Sequence, residues 1–180
     1  ASPSDNTISE LTTGNVHLQI AYDTPDTSDA VAIGWDKIWE YGVSFIYDGK
    51  QESLVRKLFD SSASDTTEHN NSNGPAKSPT AKMYFKHGTA TNFNRRITGA
   101  VWYIREASGG ASANAWTAQV EYDFVKGVSR VLSTGKEINC SYDAAALYGS
   151  AADGHYIFEV DDDNLLSPNL VDTYYSRTGV

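Results

Sequence analysis

Residues 38–58 constrain the fold more than any other stretch, because they have the pattern of two strands joined by a tight turn. This pattern is a period of two, which predicts a strand with one buried face, since successive side chains of a strand point to opposite sides. Aromatic and β-branched residues also suit a pleated sheet. The residues expected on the buried face are Trp39, Tyr41, Val43, Phe45 and Tyr47, and those between them include Glu40, Gly42 and Ser44.

The turn and the returning strand follow directly. Asp48-Gly49 is a hairpin dipeptide, because Gly49 can adopt the positive φ that a tight turn requires. Residues 51–58 then run back, and Leu54, Val55 and Leu58 are their apolar members. The segment therefore predicts a β-hairpin that can nucleate a sheet.

Composition supports a β-rich domain and excludes several classes of protein. Aromatic residues make up 12% of the 180 residues and Met occurs once, which favours strands over a helical bundle. The net charge of −9 repels phosphate backbones, so no nucleic-acid partner is expected. The single Cys140 allows neither an internal disulfide nor a CxxC zinc site. No apolar run approaches the roughly 20 residues of a membrane span.

Further strands are predicted where apolar and polar residues alternate, with Gly, Asp and Asn turns between them. The one short helix predicted is at residues 144–152, where Asp143 is a candidate N-cap for an alanine-rich run. The fold class predicted is all-β, an antiparallel β-sandwich of the fibronectin type III or immunoglobulin kind with at most one short helix. The strands are expected at residues 15–23, 39–47, 51–58, 81–87, 96–105, 116–124, 128–133 and 156–160.

Three polar segments set the expected domain organisation. Residues 1–14 hold few apolar side chains and are predicted to form a flexible N-terminal arm. Residues 15–164 are predicted to form the sandwich, with a long mobile loop at 60–80 that contains almost nothing to bury. Residues 165–180 are predicted to be a tail leading to a further segment. Because the sequence begins at Ala1 rather than Met, we expect a processed chain or an excerpt of a longer polypeptide.

Two acidic clusters are candidate cation sites. Residues 161–164 are Asp-Asp-Asp-Asn, and hard cations prefer several oxygen ligands. An EF-hand beginning at Asp161 would need Gly and Glu where this sequence has Leu166 and Asp172. A solvated strand end is therefore favoured at this cluster, and a turn is favoured at Asp23, Asp26 and Asp29. No metal-ligating residue is predicted.

No catalytic motif is present in the sequence. The four histidines are His17, His69, His87 and His155, and none lies in a nucleophile elbow, a His-Glu-x-x-His motif or a phosphate-binding glycine loop. We therefore predict no enzyme, no catalytic residue and no cofactor or cofactor-binding residue. Trp35, Trp39, Trp102 and Trp116 could form a sugar-stacking platform, but their positions favour core packing.

Two strand phrases and one later segment carry a resemblance to a known family. Residues 39–53, Trp-Glu-Tyr-Gly-Val-Ser-Phe-Ile-Tyr-Asp-Gly-Lys-Gln-Glu-Ser, resemble the aromatic strand, turn and return strand of large virion structural proteins of tailed phages. Residues 96–105, Arg-Ile-Thr-Gly-Ala-Val-Trp-Tyr-Ile-Arg, are similar to a second strand phrase of those modules. Residues 174–179, Tyr-Tyr-Ser-Arg-Thr-Gly, resemble the segment that follows them. The resemblance covers residues 15–179 in order.

The resemblance implies a fibronectin-like module in a capsid- or tail-associated protein, with no catalytic residues to transfer. The expected function is that of a non-enzymatic structural module of a virion or similar extracellular assembly. Its expected partners are other structural subunits or copies of itself. A carbohydrate-binding or host-attachment module is the alternative, with a glycan as ligand, and an acidic glycan hydrolase is a third hypothesis.

Overall fold

The structure is a computed structural model, and its described residues form strands, turns and short connections. They are residues 6–9, 16–22, 38–57, 68–70, 79–85, 96–106, 115–143, 147–148, 151–152 and 155–160. Every strand pair among them is antiparallel, and none of them is helical, which confirms the all-β class. The described part of the chain holds no helix long and apolar enough to cross a membrane.

The strands are numbered in chain order. They are β1 (Asn6–Ser9), β2 (Val16–Tyr22), β3 (Ile38–Tyr47), β4 (Gln51–Glu52), β5 (Arg56–Lys57), β6 (Glu68–Asn70), β7 (Pro79–Phe85), β8 (Ile97–Glu106), β9 (Thr117–Asp123), β10 (Val128–Val131), β11 (Glu137–Asn139), β12 (Ser141–Asp143), β13 (Leu147–Tyr148), β14 (Ala151–Ala152) and β15 (His155–Val160).

These strands form two larger sheets and a small hairpin. The eight-stranded sheet has the order β11-β10-β9-β8-β3-β4, and β5 and β6 pair with β3 as well. The five-stranded sheet has the order β1-β2-β7-β15-β12. The strands β13 and β14 pair with each other. Most of the predicted strands are confirmed, with ends that differ by a few residues.

The main core lies on one face of the eight-stranded sheet. β8 lies between β3 and β9, and its residues from Gly99 to Ile104 are buried on both faces, as expected of a central strand. Phe158 and Val160 of β15 pack into the same core, so the five-stranded sheet contributes to it. The fully buried members of this core include Tyr41, Val43, Trp102, Ile104, Val120, Tyr122 and Val131.

The hairpin turn after β3 is confirmed. Asp48 and Gly49 have φ angles of 52° and 69°, so both central residues are in the left-handed region. This is the type I′ geometry that matches the twist of the flanking strands, and Asp-Gly is among its preferred dipeptides. The Asp48 N–H also donates to the Arg96 carbonyl at 2.7 Å, which ties the turn to the start of β8.

The sequence predicts a continuous returning strand, but the structure has a bulge between β4 and β5. Ile46 pairs with Glu52 and Val43 with Arg56, so three steps along β3 match four steps along the return. At the bulge, the Ser53 hydroxyl rather than a carbonyl accepts a hydrogen bond from the Phe45 N–H at 2.9 Å. The bulge turns Leu54 outward, where 80% of it is exposed. The sequence pattern predicts Leu54 as an apolar member of the strand, but its side chain lies in solvent.

The prediction of a single buried face for β3 is wrong. Its alternate residues Glu40 and Ser44 are buried as well, with 2% and 0% of their surface exposed. A second apolar cluster, to which Val55, Trp116 and Leu132 contribute, lies on the sheet. Burial of Glu40 is possible because the cationic side chains of Lys57 and Arg105 pair with it.

Two segments predicted to be flexible contain strands. Asn6–Ser9, inside the predicted arm at 1–14, pairs with β2. Glu68–Asn70, inside the predicted loop at 60–80, pairs with the start of β3, and Pro79–Phe85 begins within that loop. Backbone hydrogen bonding explains such pairings, because a strand ladder uses N–H and C=O groups that every residue except proline carries in full. The remaining residues of both segments lie outside the described part.

The helix prediction for residues 144–152 is also wrong. Leu147–Tyr148 and Ala151–Ala152 pair as a two-stranded hairpin instead. In the sequence a Gly-Ser pair separates these strands, and glycine costs about 1 kcal/mol in a helix interior while it suits a hairpin turn. The acidic clusters at 23–29 and 161–164 and the tail at 165–180 lie outside the described residues.

Candidate functional site

A buried ionic cluster lies on the second face of the eight-stranded sheet. Glu40 on β3 stands directly opposite Arg105 on β8, and Lys57 on β5 lies on the other side of β3. One carboxylate oxygen of Glu40 accepts a hydrogen bond from Lys57 Nζ and the other accepts one from Arg105 Nε. Both oxygens of the buried carboxylate are therefore held by cations, which offsets the cost of removing it from water.

Aromatic and aliphatic side chains cover this cluster. The Arg105 guanidinium carbon lies 4.3 Å from the ring centre of Trp116, which is a cation–π contact. Gly42 on β3 makes room for this cover, because a Cβ there would lie 2.5 Å from Val55 Cγ1 and 3.1 Å from Trp116 Cζ3. The missing side chain of Gly42 thus lets Val55 and Trp116 close over the sheet.

A second buried carboxylate belongs to Glu52 on β4. The Ser44 hydroxyl donates to Glu52 Oε1 at 2.5 Å, and the Tyr103 hydroxyl donates to the same oxygen. All three residues are buried, and Tyr103 belongs to β8. The cluster therefore links β3, β4 and β8 through side chains as well as through backbone ladders.

The spacing of the two carboxylates bears on the hydrolase hypothesis. Glu40 lies opposite Arg105 and Glu52 lies opposite Ile46, so six residues of β3 separate their positions. At about 3.3 Å per residue this is roughly 20 Å, whereas the two carboxyl groups of a glycosidase lie about 5–10 Å apart. Glu40 and Glu52 do not form a hydrolytic pair, and their contacts are those of groups that stabilise a sheet.

Burial and pairing act in opposite directions on Glu40. Burial raises the pKa of its carboxyl. The hydrogen bonds from Lys57 and Arg105, together with their positive charges, lower the pKa by more than burial raises it, so the net pKa lies below the ordinary value of 4.5. Tyr41, the next residue of β3, is fully buried in the main core, and burial raises the pKa of its phenol well above 10.0.

The lowered pKa of Glu40 predicts acid sensitivity. A carboxyl group whose pKa is depressed by folding stabilises the protein above its unfolded pKa, and this contribution is lost as pH falls through the folded value. The free energy of unfolding, measured with urea, should therefore fall as pH drops below about 4.5. Glu40→Gln should flatten this slope. Glu121→Gln, which removes a carboxylate that is more exposed than that of Glu40 and pairs with the half-exposed Arg130, is the control and should leave the slope nearly unchanged. Equal slopes for wild type and Glu40→Gln would contradict the prediction.

A groove of about 490 Å³ lies where the two larger sheets meet. Phe124 and Phe158 lie at its apolar side with their ring centres 5.5 Å apart, and Tyr156 lines it from β15. Asn139, Cys140 and Lys126 also line it. Burial raises the pKa of the Cys140 thiol, so the thiolate is disfavoured there.

The turn between β9 and β10 forms one side of this groove. Asp123 Oδ1 accepts hydrogen bonds from the backbone N–H groups of Val125 and Lys126, both at 2.9 Å. The Gly127 N–H donates to the Asp123 carbonyl at 2.9 Å, and Gly127 has a positive φ of 72°. These bonds fix the turn and leave Val125 exposed beside the groove.

Two tyrosines stand side by side, and one of them, Tyr156, lines the groove. Tyr142 on β12 pairs directly with Tyr156 on β15, and their ring centres are 5.1 Å apart. Tyr156 lies two residues before Phe158 and four before Val160, which places it on the same face of β15 as these core residues. The two rings are nevertheless 60% and 40% exposed. They therefore present aromatic surface to solvent.

One segment of chain forms an edge of both larger sheets. β11 and β12 are separated only by Cys140, and each is the last strand of its sheet among the described residues. We call residues 137–143 the edge segment. The Cys140 N–H donates inward to the Gly127 carbonyl, and the Lys136 carbonyl accepts inward from Val131. Alternation along a strand then directs the N–H groups of Glu137 and Asn139 away from β10.

The predicted and observed positions can be compared directly. Trp102 is buried, as core packing predicted, and Trp116 covers Arg105. The backbones of His17 and His155 lie in β2 and β15, which flank β7 in the five-stranded sheet, and that of His69 lies in β6 of the other sheet. No group of three or more His, Cys, Asp or Glu side chains that could hold a metal ion occurs among the residues that the structure describes.

Sequence reasoning missed the ionic cluster and the tyrosine pair. A signal for the cluster was present, because Glu40 and Arg105 each lie within a strongly apolar strand and have opposite charges. No comparable signal marked Tyr142, because β12 is only three residues long and polar residues surround it. In comparisons with known proteins, no family model, no curated sequence and no solved structure matches this chain.

Proposed function

We propose that the chain is a non-enzymatic structural module of a virion or a comparable extracellular assembly. It acts through contacts with other structural subunits or with copies of itself. The observation that carries this proposal is the edge segment at 137–143, which ends both larger sheets. Edge strands are templates for pairing with another chain, and strand addition is a recurring mode of protein recognition.

The proposal includes a β-sandwich of the fibronectin type III or immunoglobulin kind. Phe158 of the five-stranded sheet lies against Tyr122 and Phe124 of the eight-stranded sheet, with ring centres 6.3 and 5.5 Å apart. Contacts of this kind between two antiparallel sheets support a sandwich. The resemblance of residues 39–53 and 96–105 to virion modules supports the same assignment, since both phrases fall on paired central strands.

The use of ionisable groups also supports a structural role. Glu40, Lys57 and Arg105 bind one another, and Glu52 binds two hydroxyl groups. The carboxylates of Glu40 and Glu52 are buried and their cationic partners are partly buried, with Trp116 lying against Arg105, and these contacts hold the sheet together. Such an arrangement suits a rigid scaffold, because it ties strands that are distant in sequence.

Glu137→Pro tests strand addition at the edge segment. Proline has no N–H, so it removes a donor that points away from β10 and is tolerated at sheet edges. We expect self-association, measured by sedimentation velocity, to fall at least about tenfold, and binding of the chain to purified virions or assemblies to fall by the same factor. The reason is that the interface loses one backbone hydrogen-bond donor and the strand geometry of the edge segment. Glu137→Ala is the matched control, since it removes the same carboxylate and keeps the N–H.

The contrary results are equally specific. Equal association of wild type and Glu137→Pro, with unchanged unfolding, would contradict strand addition at this edge. A chain that stays monomeric in isolation and is missing from washed particles by mass spectrometry would overturn the assembly proposal altogether.

A further inference from the structure

We propose that the groove lined by Phe124, Tyr156 and Asn139 binds a neutral oligosaccharide. This goes beyond the assembly role, because the site is a concave surface rather than a strand edge. Its volume of about 490 Å³ falls within the range of ordinary small-ligand pockets. The proposal depends on three properties of the groove, namely an exposed tyrosine among its aromatic residues, hydrogen-bonding groups at the rim, and the charge of the chain.

The aromatic rings supply a surface that fits one face of a sugar. A pyranose ring has an apolar face of C–H groups and a periphery of hydroxyls, so it pairs well with an aromatic side chain that is half in water. Tyr156 is 40% exposed and is held in place by Tyr142 at 5.1 Å. Tyrosine is suited to such a position because it combines an apolar ring with a polar tip.

The rim supplies groups that bind hydroxyls. The side chain of Asn139 can both donate and accept hydrogen bonds, and the Lys126 ammonium carries three donors. Both residues are exposed and both line the groove beside Tyr156. Lys126 belongs to the turn fixed by Asp123, so its backbone is already ordered before a ligand binds.

Charge narrows the class of glycan. The chain carries a net charge of −9, so it repels sulfated, phosphorylated or otherwise polyanionic saccharides at a distance. One lysine at the rim does not reverse this field. A neutral oligosaccharide meets no such barrier, and its hydroxyls match the mixed donors and acceptors of the rim. An apolar ligand would offer no hydrogen-bonding groups to Asn139 and Lys126.

Titration calorimetry of the full chain against cello-, xylo-, malto- and manno-oligosaccharides tests the proposal. We expect binding to at least one series, and Tyr156→Ala should weaken it by about tenfold through loss of ring contact. Tyr156→Phe should bind within about twofold of wild type, because it keeps the ring. Asn139→Ala should weaken binding severalfold. Leu54→Ala, which removes exposed apolar surface at the bulge of the hairpin, should bind as wild type does.

Thermal unfolding of each variant identifies any that fails to fold, and Asn139→Ala then carries the test because that residue is exposed. Absence of binding to all four series at millimolar concentration would overturn the proposal. Wild-type affinity in both Tyr156→Ala and Asn139→Ala would also overturn it, since the ligand would then bind elsewhere. Self-association that Tyr156→Ala abolishes, without glycan binding, would assign the groove to a protein contact.

Discussion

Replacing Glu40 with alanine is expected to lower the free energy of unfolding by about 3–5 kcal/mol. The change removes the carboxylate that Lys57 and Arg105 share, and both cations then lie partly buried without it. Removing one partner of a buried ion pair costs more than the pair contributes, because it leaves uncompensated charge in a region of low dielectric.

Urea unfolding at neutral pH measures this effect. Glu121→Ala is the matched control, because it removes a glutamate from the same sheet whose partner Arg130 is well exposed. A partly exposed pair of that kind contributes about 1 kcal/mol or less. A loss for Glu40→Ala no larger than that of Glu121→Ala would contradict the assignment of a buried ionic cluster.

A triple variant distinguishes the cost of leaving buried charges unpaired from the cost of lost packing. Glu40→Leu combined with Lys57→Met and Arg105→Met removes all three charges and keeps most of the volume. Well-packed apolar replacements of buried ionic clusters are often neutral or stabilising. We therefore expect the triple variant to be more stable than Glu40→Ala. Stability equal to or below that of Glu40→Ala would assign the loss to packing around Trp116 instead of to charge.

The central strands could be predicted from sequence because their signal is local. β3 and β8 contain long runs of aromatic and β-branched residues, and Asp48-Gly49 specifies the turn after β3 by its backbone preference alone. The bulge that follows depends instead on one hydroxyl, that of Ser53, which replaces a carbonyl as the acceptor. Such a choice is not visible in a pattern of apolar residues.

Burial of Glu40 could not be predicted because its cause is distant. Arg105 lies 65 residues further along the chain and reaches Glu40 only after β3 and β8 have paired. Alternation assigned Glu40 to an exposed face, since an isolated glutamate is rarely buried. The sequence contains opposite charges within two apolar strands, but only the pairing register of β3 and β8 shows that Glu40 and Arg105 lie opposite each other.

The short strands were missed for a different reason. The alanines near residue 145 favour a helix by intrinsic propensity, and the hairpin of β13 and β14 overrides that preference through pairing. β12 brings Tyr142 to Tyr156, yet three residues carry no measurable period. The aromatic surface of the groove thus arises from tertiary pairing, and of the tryptophans that the sequence offers as a sugar-stacking platform, neither Trp102 nor Trp116 lines it.

Replacing Phe45 with alanine is the second change expected to have a large effect. Phe45 is 6% exposed in the main core and lies directly opposite Ala100 on β8. Ala100 is too small to fill the space that a phenyl ring leaves, so a cavity should persist. Truncations of this kind cost about 3–5 kcal/mol, and we expect that loss in urea unfolding with an unchanged slope against denaturant concentration.

Leu54→Ala is the control, because it removes apolar atoms from the same hairpin at a position that is 80% exposed. Its effect should lie within about 0.5 kcal/mol of zero. The contrast between the two variants tests the bulge as well as the core, since a continuous return strand would bring Leu54 into a packed position. A loss below about 1 kcal/mol for Phe45→Ala would place that face of β3 in solvent. The aromatic residues of β3 would then be surface groups available to a ligand, and the hairpin could no longer be regarded as the centre of the scaffold.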